Sequence, residues 1–285
     1  MSTHSTSEIA SSNLLHGEKL YLQRARITLP FLVRQAKAGK TIYYSDLAME
    51  INIPNPRNLN FILGAIGNSL IKLDKSIPPI QCLVINKQTN FPGDGIDGFM
   101  DKKNFSKLNR TQKTEVLNRA LIQIFSYPRW DWVLQQLQID PIKLDIEQEI
   151  NKAKQIRGNG GESSFHLDFK IFIANNPAVV GLSDQLGKGQ TEYILPSGDT
   201  IDIVFIDKNT KIGIEVKSKI SDIADIFRGL FQCIKYKYLI EAEQIVNNQH
   251  PNSRIILALE GQLPRKLIGV KNILGIEVID KIHIS

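Results

Sequence analysis

The chain has 285 residues, of which 42% are apolar and 22% charged, with two cysteines and a formal net charge of +6. This composition is that of a globular protein long enough for two domains, and it excludes disordered and collagen-like chains. No apolar run reaches the roughly 18 residues of a membrane span, and two distant cysteines favour a reducing, cytoplasmic location without a zinc site.

The charge is unevenly distributed along the chain. Residues 1–140 contain 17 Lys and Arg against 11 Asp and Glu, whereas residues 141–285 contain 18 of each. The first half would therefore hold a polyanion such as nucleic acid. A basic surface that only keeps the protein soluble explains the charge equally well.

Residues 1–18 are rich in Ser and Thr and are expected to form a flexible tail. Residues 19–100 are predicted to form a mainly helical domain. Pro30 lies within its first helix-prone segment and favours a break there. Ser45 is placed to cap a short helix, and Asn55-Pro56 opens the next one, because Asn caps helices and Pro starts them.

Two short helices joined by a tight turn are typical of a helix-turn-helix motif. The second helix carries apolar residues at 3.6 spacing from Leu59 to Leu70, so one face is expected to be buried and the other free. We expect the start of this helix to contact DNA through Arg57, Asn58 and Asn60.

This region resembles the DNA-binding half of O6-alkylguanine-DNA alkyltransferases and of alkyltransferase-like proteins, over about residues 20–98. The resemblance implies a helix-turn-helix or winged-helix-like domain that binds DNA. The reactive Pro-Cys-His-Arg of the alkyltransferases is absent, because Cys82 has no adjacent histidine. Without this motif we expect no alkyl transfer. Asn60 stands where the family's recognition helix has an arginine that displaces a base, which argues against base flipping. The segments that carry the resemblance are Tyr44-Ser45-Asp46-Leu47-Ala48, Leu63-Gly64-Ala65-Ile66-Gly67-Asn68, Ile77-Pro78 and Phe91-Pro92-Gly93-Asp94-Gly95.

Residues 101–157 are predicted to be a basic helical connector. A helix from about Thr111 to Phe125 would bury an apolar face and present a basic one, either to phosphates or to solvent. Gly158-Asn159-Gly160-Gly161 then breaks the chain, and a second domain is expected over residues 158–285.

The second domain contains a predicted β-hairpin, formed by Thr200–Ile206 and Lys211–Val216 around a polar joint. Because side chains alternate along a strand, Glu215 and Lys217 point to one face, and Asp202 is expected near Glu215 at the end away from the turn. Burying these charges among Ile and Val is costly unless they bind a cation or one another. The pattern predicts a Mg²⁺ site, with Mn²⁺ as a substitute.

This domain resembles the PD-(D/E)XK nuclease superfamily over about residues 160–280. The resemblance implies an α/β, restriction-endonuclease-like core with a mixed central sheet flanked by helices, and metal-dependent hydrolysis of phosphodiesters. Four elements carry it in the family's order: Gly161-Glu162, Ser197-Gly198-Asp199-Thr200-Ile201-Asp202, Glu215-Val216-Lys217 and Arg228-Gly229-Leu230-Phe231-Gln232-Cys233-Ile234-Lys235-Tyr236.

The resemblance implies that Asp202, Glu215 and the Val216 carbonyl hold the metal, while Lys217 orients a water or stabilises charge. Asp199 is the rival of Asp202, but Asp is common in a Ser-Gly-Asp turn for backbone hydrogen bonding, so Asp202 is favoured.

Further candidates lie on the helices. Glu162 either contributes to the site or only favours the start of its helix. Gln232 and Tyr236 share a helix face and match the Gln-x-x-x-Tyr element of one branch of the superfamily, which implies a place beside the metal. Arg228 and Lys235 are expected to contact DNA with Tyr236. His166, four residues after Glu162, is expected to be structural or exposed to solvent.

These patterns predict a metal-dependent DNA endonuclease positioned by an N-terminal DNA-binding domain, in restriction or phage defence or in DNA repair. One alternative is a non-catalytic DNA-binding or lesion-sensing protein that uses the nuclease fold as a scaffold. Another is an effector nuclease that a partner activates. A double-strand cut with one site per chain would require a homodimer, whereas a monomer would nick.

Overall fold

The computed structural model describes residues 15–100, 104–155 and 163–284. They divide into two compact units, of which unit 1 ends at Leu144 and unit 2 begins at Asp145. The boundary expected at residue 158 therefore falls within unit 2. Among the helices of these residues, none combines the length and apolar character needed to cross a membrane.

Unit 1 is mainly helical. Its two short strands pair in parallel. A 3-10 turn at Pro56–Asn58 precedes the third helix, and the Asn55 side chain caps this turn. Its elements are α1 (Leu20–Lys37), β1 (Ile42–Tyr43), α2 (Tyr44–Glu50), α3 (Leu59–Leu73), β2 (Val84–Ile85), α4 (Arg110–Ser126) and α5 (Trp130–Gln136).

Pro30 lies inside α1, which continues through it, so the expected break is wrong. A proline inside a helix removes one backbone hydrogen bond. The helix persists because Leu29, Pro30 and Leu32 are all buried in the core of unit 1, and packing outweighs local propensity. The cap of α2 also differs, since the helix begins after Tyr43 and not after Ser45.

The basic helix α4 is part of the unit 1 core. Leu117 and Ile124 on its inner face are buried, and the fully buried Trp130 of α5 donates from its indole nitrogen to the Ile124 carbonyl at 2.9 Å. The expected connector over 101–157 is therefore not one segment, because α4 and α5 pack in unit 1 and α6 (Glu147–Gln155) lies in unit 2.

Unit 2 is an α/β structure with a five-stranded mixed sheet in the order β3-β4-β5-β6-β7. The first three strands are antiparallel, and β6 and β7 run parallel to β5. The predicted α/β class is confirmed. After α6, the elements are α7 (Ser164–Asn175), β3 (Gln190–Ile194), β4 (Thr200–Asp207), β5 (Thr210–Lys217), α8 (Ile223–Val246), β6 (Ser253–Leu259), α9 (Ile268–Leu274) and β7 (Glu277–Ile279).

The predicted hairpin is confirmed as β4 and β5, with Asp207 opposite Thr210 and Ile203 opposite Ile214. Its two-residue turn has Lys208 at φ 55°, a left-handed conformation suited to tight hairpins. Helix α8 then returns the chain to β6, as a parallel pair requires. After α7 the chain forms the 3-10 helix Pro177–Val180, which begins at a proline because Pro favours the first turn of a helix.

The core of unit 2 lies where α7 packs on the sheet. Phe169 and Ile173 of α7 are fully buried and belong to one apolar cluster with Ile203, Ile214 and Ile256 from the three central strands. The same helix leaves Phe165 46% exposed. Helix α7 therefore has one face that holds unit 2 together and one that does not.

We predict that Phe169→Ala lowers the free energy of unfolding of unit 2 by about 3 to 5 kcal/mol, because it leaves a cavity in this cluster. Phe165→Ala on the exposed face should cost less than about 1 kcal/mol. Urea denaturation followed by circular dichroism measures both. Equal losses in the two variants would contradict the assignment of the core.

Candidate active site

Two strands bring the predicted carboxylates together. Ile203 pairs with Ile214 at the end of the hairpin away from the turn, and Asp202 and Glu215 follow there. An oxygen of Asp202 (Oδ2) accepts a hydrogen bond from the Val216 backbone N–H at 2.8 Å. Glu215 and Lys217 form an ion pair at 3.0 Å between Oε1 and Nζ.

Lys217 is held between two carboxylates. Its ammonium lies 3.0 Å from Glu215 Oε1 and 3.3 Å from Asp225 Oδ1, and its side chain is 5% exposed. Burial alone would lower the pKa of Lys217, but Glu215 and Asp225 outweigh burial and raise it. Lys217 is therefore protonated at neutral pH and acts as a fixed positive charge, not as a base.

A glycine makes room for this lysine. A Cβ atom at Gly229 would lie 2.9 Å from Lys217 Cε and 3.1 Å from Leu257 Cδ1, closer than carbon atoms normally approach. Helix α8 therefore packs over Lys217 only because residue 229 has no side chain. Any larger residue there would displace the lysine or the helix.

The two carboxylates differ in their protonation. Burial, followed by the negative charge of Asp202, raises the pKa of Glu215 to about 7. Burial would also raise the pKa of Asp202, but the neighbouring His166 and the hydrogen bond from the Val216 N–H lower it below its usual value. Asp202 is thus ionised, whereas the pKa of Glu215 lies close to neutral pH because the two carboxylates repel each other when both are charged. A divalent cation between them would relieve this repulsion.

The donor set fits a hard divalent cation. The described residues contain no group of three or more His, Cys, Asp and Glu side chains placed to hold a metal ion, but Mg²⁺ needs only one or two carboxylates and retains waters. The Lys217 carbonyl accepts from the Glu260 N–H at 3.1 Å, on the β6 side of β5. Successive carbonyls alternate along a strand, so the Val216 carbonyl points to the β4 side, where Asp202 lies.

The face of α8 that carries Gln232 and Tyr236 adjoins the carboxylates. Gln232 Nε2 lies 3.5 Å from the Tyr236 hydroxyl, and Gln232 Oε1 is buried with no hydrogen-bond partner among the described residues. Burial and the charges of Glu215 and Asp202 raise the pKa of Tyr236. Tyr236, expected to contact DNA, is only 4% exposed, so it supports the site from within the protein.

Two of the basic residues of α8, Arg228 and Lys235, have acidic partners. Arg228 donates to Asp225 Oδ1 at 3.2 Å and keeps about a third of its side chain exposed. Lys235 pairs with Asp199 at 2.7 Å. Asp199 also accepts from the Ser197 hydroxyl at 3.0 Å, which agrees with a role in the turn and leaves Asp202 as the carboxylate beside Glu215.

Sequence reasoning missed two residues of this site. His166 of α7, expected to be structural or exposed, has Nε2 3.7 Å from Asp202 Oδ1, and only its i+4 spacing from Glu162 hinted at this position. Asp225 holds Lys217 from the first turn of α8, and no sequence motif includes it. Glu162 itself lies outside the described residues.

In unit 1, Arg57 and Asn58 of the 3-10 turn and Asn60 of α3 are all exposed, as contact with DNA requires. Phe61 beside them is 74% exposed, which the apolar spacing did not suggest. Cys82 is fully buried, and burial raises its pKa to about 12. A buried, protonated thiol is a poor nucleophile.

We predict that the raised pKa of Glu215 makes stability depend on pH. A glutamic acid that binds its proton more tightly when folded lowers the free energy of unfolding as pH rises from about 4.5 to about 7. The Tm of the wild type should therefore fall between about pH 5 and 8 more steeply than that of Glu215→Gln. Mg²⁺ at about pH 8 should raise the Tm of the wild type but not that of Glu215→Gln.

Glu243→Gln is the matched control, because Glu243 is another paired glutamate of unit 2, bound to Lys211 and Tyr193. It should keep the pH slope and the Mg²⁺ response of the wild type. Parallel Tm curves for Glu215→Gln and the wild type would contradict the assignment.

No protein-family model matches the chain, and no curated protein or solved structure is significantly similar to it. The two resemblances drawn from the sequence therefore rest on the residues and the geometry described above.

Proposed function

We propose that the protein is a Mg²⁺-dependent DNA endonuclease, with unit 1 binding DNA and unit 2 hydrolysing phosphodiester bonds. The observation that carries this proposal is the buried cluster at the end of the β4–β5 hairpin. There, Asp202 and Glu215 share one environment, and Lys217 is held charged beside them.

The topology of unit 2 supports a restriction-endonuclease-like core. A helix (α7) precedes three antiparallel strands, and α8 leads from β5 to the parallel strand β6. The resemblance noted in the sequence implies a mixed sheet flanked by helices. The two carboxylates lie on β4 and β5, the strands of the hairpin.

The chain's own residues supply distinct parts of the chemistry. Asp202, Glu215 and the Val216 carbonyl would hold Mg²⁺ or Mn²⁺, which when bound acidifies a water and polarises the phosphate. Lys217 offers a fixed positive charge to the developing negative charge on the phosphoryl oxygens. Gln232 offers its unpartnered Oε1 as an acceptor that can orient a water.

Contacts with DNA are proposed for the exposed basic and amide groups of both units. Arg57, Asn58 and Asn60 are exposed at the start of α3. Arg228 and Lys235 lie on α8, the helix that packs over Lys217. Cleavage in restriction, in phage defence or in repair would suit this combination.

We predict that Lys217→Ala lowers the rate of metal-dependent nicking or linearisation of supercoiled plasmid by about 10²- to 10³-fold, because a charge that stabilises the transition state is lost. Lys219→Ala is the matched control, since Lys219 lies two residues later and is 58% exposed. It should keep wild-type activity. EDTA should abolish cleavage by both the wild type and the control.

The same assay separates the other functions. A wild type that cleaves nothing with Mg²⁺ or Mn²⁺, yet retards DNA in a gel as Lys217→Ala does, would indicate a DNA-binding protein. Cleavage that begins only when a cell extract is added, and is lost in Lys217→Ala, would indicate an effector nuclease that needs an activator.

DNA binding by unit 1 has its own test. Arg57→Ala should weaken binding to duplex DNA and reduce the slope of log K against log salt by about 1, because one phosphate contact is lost. Lys208→Ala, in the exposed turn of the β4–β5 hairpin, removes the same charge elsewhere and should leave the slope unchanged. Fluorescence anisotropy at several salt concentrations measures both. Equal slopes in the two variants would exclude Arg57 from the interface.

A further inference from the structure

Unit 1 contains a cavity of about 690 Å³ that the DNA-binding proposal does not use. It lies between the C-terminal end of α3, the loop that follows α3, and the C-terminal end of α4. Its volume is that of sites for small organic ligands. The residues that matter for its chemistry are Leu70, Lys75, Gln81, Phe99, Gln123 and Tyr127.

Gln81 is the central polar group of this cavity. Its side chain is buried, with 3% of the residue exposed, and neither Nε2 nor Oε1 has a hydrogen-bond partner among the described residues. A buried amide without partners is strongly unfavourable, so this position is suited to a ligand that supplies both an acceptor and a donor.

Helix α3 has a glycine, Gly67, where it passes the Gln81 amide. A Cβ atom at Gly67 of α3 would lie 2.3 Å from Gln81 Nε2 and 2.5 Å from Phe99 Cε1. Glycine in the middle of a helix is unfavourable, and here it is what leaves space for the amide and the aromatic ring. The two observations, the unpartnered amide and the space kept for it, are independent.

Other residues of the cavity add a second unpartnered polar group, an apolar lining and a positive charge. The Tyr127 hydroxyl is buried and has no hydrogen-bond partner among the described residues, and its ring is fixed against Trp130 at 4.8 Å between centroids. Phe99, Pro78 and Pro79 give the cavity an apolar lining that includes one aromatic ring. Lys75 is exposed at the rim and forms no ion pair with another described residue.

We propose that this cavity binds a free nucleotide. A side-chain amide pairs with an edge on which a donor and an acceptor are adjacent, as on a nucleobase. The aromatic ring of Phe99 suits a stacked heterocycle, and the Lys75 ammonium suits the phosphate.

The position of the cavity favours a free nucleotide over one in a DNA strand. The residues proposed to contact DNA lie at the N-terminal end of α3, and the cavity opens near its C-terminal end. From Asn60 to Leu70 the helix rises about 15 Å. The cavity therefore lies toward the other end of α3 from the DNA contacts, although Gln81 and Phe99 also line a smaller pocket of about 50 Å³ beside Asn60. The nucleotide proposal does not depend on the nuclease proposal.

Calorimetric titration of the full chain with AMP, GMP, CMP and UMP tests the proposal. One of them should bind saturably, its nucleoside more weakly, and inorganic phosphate not measurably. Gln81→Met should weaken binding at least about tenfold, because the base edge loses both hydrogen bonds. Lys75→Ala, a surface change that spares the fold, should weaken binding of the nucleotide but not of the nucleoside.

Gln35→Met is the matched control, since Gln35 is a fully buried glutamine of unit 1 that does not line the cavity. It should bind as the wild type does, and so should Lys217→Ala in unit 2. The proposal is overturned if no nucleotide binds at millimolar concentration, or if folded Gln81→Met binds as tightly as the wild type. It is equally overturned if only a nucleotide within a DNA strand competes for the site. Plasmid cleavage by a protein that binds no nucleotide would refute this inference and leave the nuclease proposal intact.

Discussion

The ion pairs of Lys217 are the interaction on which the rest of unit 2 depends. A buried ammonium is stable only with close counter-charges, and Glu215 and Asp225 supply them from β5 and α8. Helix α8 approaches closely enough because Gly229 has no side chain. The same approach brings Gln232 and Tyr236 to the carboxylates. The buried Lys217 therefore fixes the position of α8 relative to β5 and to the candidate site.

Unit 1 combines two kinds of surface. Its exposed residues at the start of α3 are suited to a charged polymer, whereas the interior cavity beyond Gly67 is suited to a small planar ligand. Helix α3 connects the two, since its buried face carries the core residues Ile62 and Ile66 between them. A nucleotide that altered the packing of α3 would thus act on the element proposed to contact DNA.

Much of this arrangement was predictable from local patterns. Alternating apolar residues indicated the β4–β5 hairpin, and the resulting period of two placed Asp202, Glu215 and Lys217 on one side. The 3.6 spacing likewise indicated α3 and α4. The predictions failed where long-range packing outweighed local preference. Pro30 is tolerated inside α1 because its neighbours are buried, and α4 joined the unit 1 core although its charge suggested a connector.

The sequence by itself determined the class of unit 2, its hairpin and the chemical types in the candidate site, because strand periodicity and residue chemistry are local properties. Only the tertiary structure decided which groups meet. His166 reaches Asp202 from another helix, Asp225 reaches Lys217 across a turn, and Tyr236 is withdrawn from the surface. Their roles depend on contacts between different helices and strands, which no local pattern encodes.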